Sequence, residues 1–284
     1  MVSKWQSSES SESSKQLRQL VEAVRASRKY RFLYGGTIAY VGARELARRA
    51  NLEEAIKATK RRLHQIAGMY LAGEAPYARW LEELRLARES NDQEQLRAAC
   101  RRVMSWHTST RERLAVLPTF YERLLADLPS VRRVLDVACG FHPLALPWMP
   151  FFRSGGSTCY YYACDIYEDL ASFLQEVLKV LGVPGEATVC DIVQTPPDLA
   201  VDLAFVLKVL PCLEHIEPEA GLRLLQAIQA RYLLVSFPGQ SLGGGKRGMA
   251  TYYEARFRSL VADCGWRLER FAFPGELVFR IEKE

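Results

Sequence analysis

Two acidic residues and one tight glycine turn are the groups in this 284-residue chain whose types and spacing suggest a ligand site. The stretch Val131–Pro147 leads from a short apolar strand pattern into Ala138–Gly140, where small residues let a ligand approach the backbone closely. Asp165 ends a second β-prone run about 25 residues later, where nucleotide-binding sheets carry the acid that binds ribose. Asp191 ends a third run, where a carboxylate suits an adenine amino group. These spacings predict a nucleoside site, with an ordinary strand-to-helix turn as the alternative.

The predicted site lacks the features of a phosphate or metal site. The Gly-x-Gly-x-x-Gly spacing of dinucleotide-binding proteins is absent. In the glycine-rich stretch 239–249, Lys246 is followed by Arg247 and not by the Ser or Thr of a P-loop. The four histidines have no ligand spacing, so no metal is predicted. A nucleoside cofactor without phosphates, such as S-adenosyl-L-methionine, therefore fits better than NAD or ATP.

A short polar segment precedes the first strand pattern. Residues 107–113, HTSTRER, contain one histidine, three hydroxyl side chains and two arginines. A Ser or Thr followed three residues later by Glu112 or Arg113 resembles a capped helix start. The segment can also reach the mouth of the site, where Arg111 and Arg113 are candidates to bind a carboxylate or a phosphate.

Positive charge is concentrated in the first half of the chain. Residues 1–129 hold 23 Lys and Arg against 15 Asp and Glu, which gives +8, whereas residues 130–284 hold 15 against 18, which gives −3. A basic half beside a mildly acidic half favours contact with a polyanion such as a nucleic acid. A solvated helical surface with excess arginine is the alternative.

Helical spacing in the basic half places several cations on one face. A helix predicted to begin after the capping residue Asn51 carries Lys57, Lys60, Arg61 and Arg62. Residues three and four positions apart are neighbours on a helix, so Lys57, Lys60 and Arg61 share a face. We therefore predict phosphate contacts there, together with Lys208, Lys246 and Arg247 from the second half.

The hydrophobic patterns change character near residue 106. Residues 1–14 are rich in Ser and Glu and predict a disordered tail. Residues 15–105 show helical spacing, with Thr37 as the cap of a second helix. Residues 106–284 alternate strand and helix and close with two strands joined at Pro274-Gly275. The predicted fold class is α/β, a Rossmann-like domain with a mostly parallel sheet and a closing antiparallel hairpin, preceded by an all-helical domain.

Composition excludes several classes of protein. Hydrophobic residues make up 49% of the chain and charged residues 25%, which is typical of a globular protein. No apolar run reaches about 18 residues, so no transmembrane helix and no membrane partner are expected. The beginning of the sequence has no apolar core typical of a secretory signal. The seven cysteines form no CxxC pair, which favours a reducing compartment and a cytoplasmic location.

Five motifs together resemble one family. HTSTRER, VLDVACGFHPLALPWM, CDIY, FVLKVLPCLEH and SFPGQSLGGGKRGM are similar to segments of the aminoglycoside-resistance methyltransferases of 16S ribosomal RNA. The branch that the chain resembles modifies N7 of a guanine at the decoding site. The resemblance extends over residues 15–284 and implies a class I methyltransferase domain, preceded by a helical domain that docks on the 30S subunit.

The resemblance also implies site residues, carried over position by position. The residues expected to contact S-adenosyl-L-methionine are Tyr70, His107, Thr108, Ser109, Thr110, Arg111, Glu112, Arg113, Ala138, Gly140, Asp165, Ile166, Asp191, Ile192 and Leu207. The residues expected at the RNA are Lys57, Lys60, Arg61, Arg62, Lys208, Glu214, Lys246 and Arg247. Two positions depart from the family pattern: His142 stands where Asn is expected, and GGGKRGM replaces a GGRGKGM-like loop.

The resemblance implies methyl transfer to an atom that needs no catalytic base. Guanine N7 is a free lone pair in the major groove, so we assign no catalytic residue and expect proximity and orientation to supply most of the rate. A monomer acting on 16S rRNA in the 30S subunit, and resistance to aminoglycosides, are expected. The alternatives are a small-molecule methyltransferase with a helical lid and a ribosome-binding homologue without activity. A nicotinamide oxidoreductase is disfavoured by the missing glycines.

Overall fold

A seven-stranded sheet with the strand order β3-β2-β1-β4-β5-β7-β6 organises the chain. The computed structural model describes residues 2–68, 75–152, 159–239 and 248–283. The strands are β1 (Arg133–Val137), β2 (Tyr160–Asp165), β3 (Gly185–Val189), β4 (Val201–Leu207), β5 (Ala230–Pro238), β6 (Arg267–Phe273) and β7 (Glu276–Glu282). The pairs among β1 to β5 are parallel, whereas β7 is antiparallel to both β5 and β6. The predicted fold class is confirmed.

The central strands are buried because their sequences are apolar on both faces. All residues of β1 after Arg133 are buried, and so is every residue of β4 except Asp202. Parallel strands that are covered by helices on both sides show such continuous apolar runs. Asp136, which is 1% exposed, is the one acid inside β1.

The helices cover the sheet and form the first third of the chain. They are α1 (Val2–Arg25), α2 (Gly35–Leu46), α3 (Leu52–Leu63), α4 (Tyr77–Glu89), α5 (Gln93–Met104), α6 (Thr108–Arg113), α7 (Leu117–Leu125), α8 (Glu168–Leu181), α9 (Leu210–Glu214), α10 (Ala220–Ala227) and α11 (Met249–Leu260). A π-helical turn, His64–Gly68, follows α3, and a 3-10 helix, His142–Trp148, follows the glycine turn. None of the helices in the described ranges combines the length and the apolar character that crossing a membrane requires.

Two helix starts test the capping predictions. The Asn51 side chain accepts a hydrogen bond from Glu54 N–H at 2.9 Å, which confirms it as the cap of α3. Thr37 was predicted to cap α2, but α2 begins at Gly35 and Thr37 lies inside it. Its hydroxyl instead donates to Asp191, 154 residues away in sequence, and this long-range bond is not visible in a local pattern.

The helical region 15–105 divides into two packing units. Buried residues of α1, α2 and α3, among them Leu20, Ile38 and Leu63, form a cluster of their own. Trp80 of α4 and Cys100 of α5 belong instead to the cluster that covers one face of the sheet. We call α1–α3 the helical unit; α4 and α5 pack as part of the sheet's core.

The backbone at the start of the chain differs from the prediction. Helix α1 begins at Val2, whereas the composition of residues 1–14 predicts disorder. Extending a formed helix is far less costly than nucleating one, and Ser, Glu, Gln and Lys lie within roughly 0.7 kcal/mol of Ala in helix propensity. The helix that continues to Arg25 can therefore extend back through this polar segment.

Candidate functional site

A cleft at the carboxyl edge of the sheet collects the ends of four strands. It holds about 1040 Å3 of space, counted to its open mouth. Asp136 and the turn after it come from β1, Asp165 ends β2, and Asp191 follows β3. Leu207, which also lines the cleft, ends β4, the neighbour of β1 on the side away from β2. The structure thus brings both predicted acids to one cavity.

Asp165 holds the glycine turn beside it. Its Oδ2 accepts a hydrogen bond from Gly140 N–H at 3.0 Å, and its Oδ1 accepts one from Tyr167 N–H at 3.3 Å. Burial raises the pKa of Asp165, and these backbone donors partly offset the rise. A carboxylate has about four acceptor positions, so Asp165 can still accept hydrogen bonds from vicinal hydroxyls of a ligand.

Position 140 requires a glycine for two reasons, the backbone conformation and the lack of space for a Cβ. Its φ is +52°, and a Cβ placed there would lie 2.8 Å from the His107 ring. We expect Gly140→Ala to lower the free energy of unfolding by about 1–3 kcal/mol and to weaken cofactor binding, since the turn must shift. Denaturant unfolding and calorimetric titration measure the two effects.

Gly265→Ala is the matched control for Gly140→Ala. Gly265 has a similar φ of +70°, but nothing lies within 4 Å of an added Cβ. It therefore carries the backbone strain without the contact to a neighbouring ring. Equal losses of stability in the two variants, with unchanged cofactor binding, would show that the contact with His107 is unimportant.

Asp191 accepts four hydrogen bonds. Its Oδ1 accepts from the N–H groups of Val193 and Gln194 at 3.0 and 3.2 Å. Its Oδ2 accepts from the Thr37 hydroxyl and from Gln194 Nε2, each at 2.7 Å. Thr37 belongs to the helical unit, so this carboxylate joins that unit to the sheet edge.

The segment 107–113 forms α6 and carries a buried ion pair. Arg113 Nη2 lies 2.6 Å from Glu276 Oε1, and its Nε lies 3.1 Å from Glu276 Oε2. Lys208 Nζ lies 2.7 Å from Glu112 Oε2 and 3.4 Å from Glu276 Oε2. Arg113, Glu276 and Lys208 are all buried, and Arg113 and Lys208 line the cleft.

These buried charges set the protonation of their neighbours. Burial alone would raise the pKa of Glu276. The positive charges of Arg113 and Lys208 outweigh this effect and bring that pKa below its usual value. Burial, followed by the charges of Arg113 and Lys208, lowers the pKa of His107 to about 3. His107 is therefore neutral near pH 7 and cannot serve there as a charged group.

A second polar network lies under the glycine turn. His142 Nδ1 lies 2.8 Å from Asp136 Oδ2, and His142 Nε2 lies 2.8 Å from the Tyr121 hydroxyl. The Tyr161 hydroxyl donates to Asp136 Oδ2 at 2.8 Å. All four side chains are buried, so the departure at His142 is accommodated by partners for both ring nitrogens.

The predicted cofactor residues are placed unequally. Those that line the cleft are His107, Ser109, Arg113, Ala138, Asp165, Ile166, Asp191, Ile192 and Leu207. Those that do not are Thr108, Thr110, Arg111, Glu112 and Gly140. The Thr110 hydroxyl donates to Met104 O at 2.6 Å and so closes the end of α5, while Arg111 is exposed. Tyr70 lies outside the described residues.

Two of the residues predicted to contact RNA form ion pairs within the protein. Lys208 is 7% exposed and held between two carboxylates, so its ammonium is not presented to a phosphate. Glu214 pairs with Arg256 at 2.8 Å. Lys246 and Arg247 lie outside the described residues.

The basic face of α3 keeps its cations at the surface. Lys57 pairs with Glu53 one turn earlier at 2.6 Å, and both side chains are more than half exposed. Arg61 is exposed, and Lys60 and Arg62 are partly exposed. Within the described ranges, Lys60, Arg61 and Arg62 form no ion pair.

Several residues that line the cleft were not predicted. Thr37 comes from the helical unit and Ile66 from the π-helical turn that follows it, and Leu213 and Ile216 come from the segment after β4. The FVLKVLPCLEH motif indicated the second pair, since it directly follows a strand end. The first pair has no local pattern, because the packing of the helical unit against the sheet brings it to the cleft.

The donor set fits a nucleoside cofactor better than a metal. Two buried carboxylates and mainly apolar walls can hold hydroxyls, an amino group and a flat ring. Among the described residues, no three His, Cys, Asp or Glu side chains are grouped so that they could hold a metal ion.

Comparison with known proteins covers nearly the whole chain. The family model described as "Ribosomal RNA methyltransferase (FmrO)" matches residues 26–280. A Micromonospora echinospora protein named 16S rRNA (guanine(1405)-N(7))-methyltransferase is 36% identical over 259 residues, 90% of this chain and 93% of its own length. A Serratia marcescens protein of the same name is 32% identical over 258 residues, 90% of this chain and 94% of its own.

Solved structures show the same architecture. The crystal structure of the 16S rRNA methyltransferase RmtF in complex with S-adenosyl-L-homocysteine matches with a TM-score of 0.79 and 27% identity, covering 95% of this chain and 98% of that one. The structure of the 16S rRNA methylase RmtB matches with a TM-score of 0.74 and 27% identity, covering 94% and 98%.

Proposed function

Because the chain belongs to the FmrO family of ribosomal RNA methyltransferases, we propose that it transfers a methyl group from S-adenosyl-L-methionine to N7 of a guanine in 16S rRNA. The observation that carries this proposal is the cleft in which Asp165 and Asp191 meet beside an exposed basic helical unit. Relatives named for guanine 1405 support that nucleotide as the target.

In this proposal the two acids bind different parts of the cofactor. Asp165, with acceptor positions left after its bonds to Gly140 and Tyr167, binds the ribose hydroxyls. Asp191 accepts from the adenine amino group, and Leu207 packs against the cofactor from the end of β4. Arg113 also lines the cleft, and we assign it to the end at which the carboxylate of the methionine moiety binds, with its charge shared with Glu276.

The reaction needs orientation and no base. S-adenosyl-L-methionine, when bound, supplies a methyl group on a positively charged sulfur. Guanine N7 would form a bond to that methyl group with a lone pair that carries no proton, while the bond between the methyl carbon and sulfur breaks and S-adenosyl-L-homocysteine leaves, so the cleft has only to align the two. The neutral ring of His107 suits this role, since it adds no positive charge beside the sulfonium.

The helical unit docks on the assembled 30S subunit. A guanine within an RNA helix must be turned out to reach the cleft, and the enzyme must grip the surrounding backbone while this happens. Lys57, Lys60, Arg61 and Arg62 supply phosphate contacts from one exposed helix. Methylation at the decoding site would confer resistance to aminoglycosides.

Charge reversal on α3 tests the docking role. We expect Arg61→Glu combined with Arg62→Glu to weaken binding to 30S subunits by at least tenfold at low salt, since two phosphate contacts become repulsive. Cofactor affinity should not change. Arg132→Glu with Arg133→Glu, an exposed pair at the start of β1, is the matched control. Filter binding against salt concentration measures the effect; equal losses in both double variants would contradict it.

A small-molecule methyltransferase with a helical lid is the second candidate. Thr37 of the helical unit and Ile66 of the π-helical turn that follows it line the cleft, as residues of a lid would. Tritium transfer from labelled cofactor into purified 30S subunits separates the candidates, because a lid enzyme or an inactive homologue leaves the subunits unlabelled. Primer extension on 16S rRNA then identifies the modified guanine.

A further inference from the structure

Two aromatic side chains are exposed in the short segment that joins α1 to α2. Phe32 is 39% exposed and Tyr34 is 41% exposed, whereas Leu33 between them is fully buried. We call Phe32 and Tyr34 the aromatic pair. Single apolar residues are common on protein surfaces, but neighbouring exposed rings are typical of a surface that binds a partner.

Backbone hydrogen bonds fix the aromatic pair beside the cleft. Glu168 N–H donates to Phe32 O at 2.8 Å, and Tyr34 N–H donates to Ile166 O at 2.9 Å, so the segment is bound to the chain that follows β2. Ile166 lines the cleft. Side chains alternate across extended backbone, so the two rings lie on the face opposite the buried Leu33.

Each ring of the aromatic pair is supported from one side. Arg31 Cζ lies 4.7 Å from the centroid of the Phe32 ring. The Tyr34 ring lies against the backbone of Gly36, where an added Cβ would lie 2.9 Å from Tyr34 Cζ. Because both rings are nevertheless well exposed, each can present surface to a flat ligand without first being ordered.

The same segment continues the basic face of α3. Lys29 Nζ lies 2.7 Å from Nδ1 of His64, the residue that follows α3, and the Tyr30 hydroxyl donates to Lys60 O at 2.9 Å. The exposed cations of the segment are Arg28, Lys29 and Arg31. A phosphate backbone bound along α3 therefore meets further positive charge beside the aromatic pair.

Two acids lie near these cations without cancelling them. Glu168 pairs with Arg25 at 2.8 Å. Asp169 is partly buried, and burial raises its pKa while the charge of Arg31 lowers it. Since Arg28 and Lys29 add two more cations, the surface around the rings keeps a net positive charge. Exposed rings among cations favour a nucleic acid over an apolar protein partner.

We propose that the aromatic pair stacks on an unpaired base of 16S rRNA next to the target guanine. Turning the guanine out of its helix leaves its neighbours without a stacking partner, and aromatic side chains can take that place. The binding surface then consists of the basic face of α3, the aromatic pair and the cleft, in that order. This inference rests on the proposed function and adds a contact with a base to its phosphate contacts.

Binding to 30S subunits at several salt concentrations tests the stacking. We expect Phe32→Ala combined with Tyr34→Ala to weaken binding about tenfold to a hundredfold. The ratio to the unmodified protein should be the same at low and high salt, because stacking releases no counterions. Phe32→Tyr combined with Tyr34→Phe keeps both rings and should retain binding. Leu86→Ala, at an exposed apolar residue of α4, is the matched control and should bind normally.

Two measurements separate a lost contact from a damaged protein. Neither ring lines the cleft, so calorimetric affinity for S-adenosyl-L-homocysteine should be unchanged in the double alanine variant. Both side chains are exposed, so its thermal unfolding should also stay close to that of the unmodified protein.

Ultraviolet crosslinking of the complex with 30S subunits and S-adenosyl-L-homocysteine identifies the partner. Mass spectrometry should find the peptide that contains residues 32–34 joined to rRNA, and primer extension should stop at a nucleotide next to the target guanine. A crosslink to a ribosomal protein, or normal 30S binding by the double alanine variant, would overturn this inference while the proposed function stands. Unmodified protein that transfers no methyl group to 30S subunits would refute both.

Discussion

Replacing either acid of the cleft with alanine is expected to remove cofactor binding while the protein stays folded. In the proposed binding mode, Asp165→Ala removes hydrogen bonds between a buried carboxylate and two ribose hydroxyls, each of the strong, charge-assisted kind. We expect affinity for S-adenosyl-L-methionine to fall about a hundredfold or more. Asp191→Ala should act in the same direction at the adenine end. Isothermal titration calorimetry measures both.

Folding and specificity need separate controls in these titrations. Asp127→Ala removes an exposed acid outside the cleft and should bind cofactor as the unmodified protein does. Circular dichroism and thermal unfolding show whether the variants at Asp165 and Asp191 remain folded. Unchanged affinity in both folded variants would show that the cofactor binds elsewhere.

The largest expected effect on stability is at Glu276. Glu276→Gln keeps the shape of the side chain but leaves Arg113 buried without its counter-charge. Removing one partner of a buried ion pair costs about 3–5 kcal/mol. The denaturation midpoint should fall accordingly, with an unchanged slope. Glu94→Gln, which breaks an exposed pair with Arg97, should cost about 1 kcal/mol or less.

The same carboxylate gives the stability a defined pH dependence. The pKa of Glu276 is lower in the folded state than its unfolded value of about 4.3. Its contribution is therefore complete above the unfolded pKa and disappears as the pH falls through the folded pKa. Below about pH 4 the gap between Glu276→Gln and the unmodified protein should narrow. A gap that stays constant down to acid unfolding would contradict the assignment.

The positions of the two acids could be predicted from sequence because they depend on local patterns. Asp165 and Asp191 each end a β-prone run, and parallel strands must present their carboxyl ends at one edge. The helices and the closing hairpin were predicted for the same reason: their spacing and turn residues are local. The match of the family model over residues 26–280 confirms the resemblance that the motifs indicated.

What could not be predicted depends on contacts between distant parts of the chain. Arg113 and Glu276 are 163 residues apart, and Thr37 and Asp191 are 154 apart. No periodicity links such pairs, so Lys208 was predicted to contact a phosphate and Thr37 to cap a helix. The division of residues 15–105 into two packing units also depends on distant contacts. The amphipathic patterns of α1 and α4 do not show which hydrophobic cluster each helix will join.

The Arg113–Glu276 pair has a consequence for synthesis of the protein. Glu276 opens β7, the last strand to be made, which inserts between β5 and β6 rather than at the edge. Until that strand leaves the ribosome, Arg113 has no buried carboxylate to neutralise it. A nascent chain therefore cannot neutralise Arg113, a residue that lines the cleft, until β7 has been made.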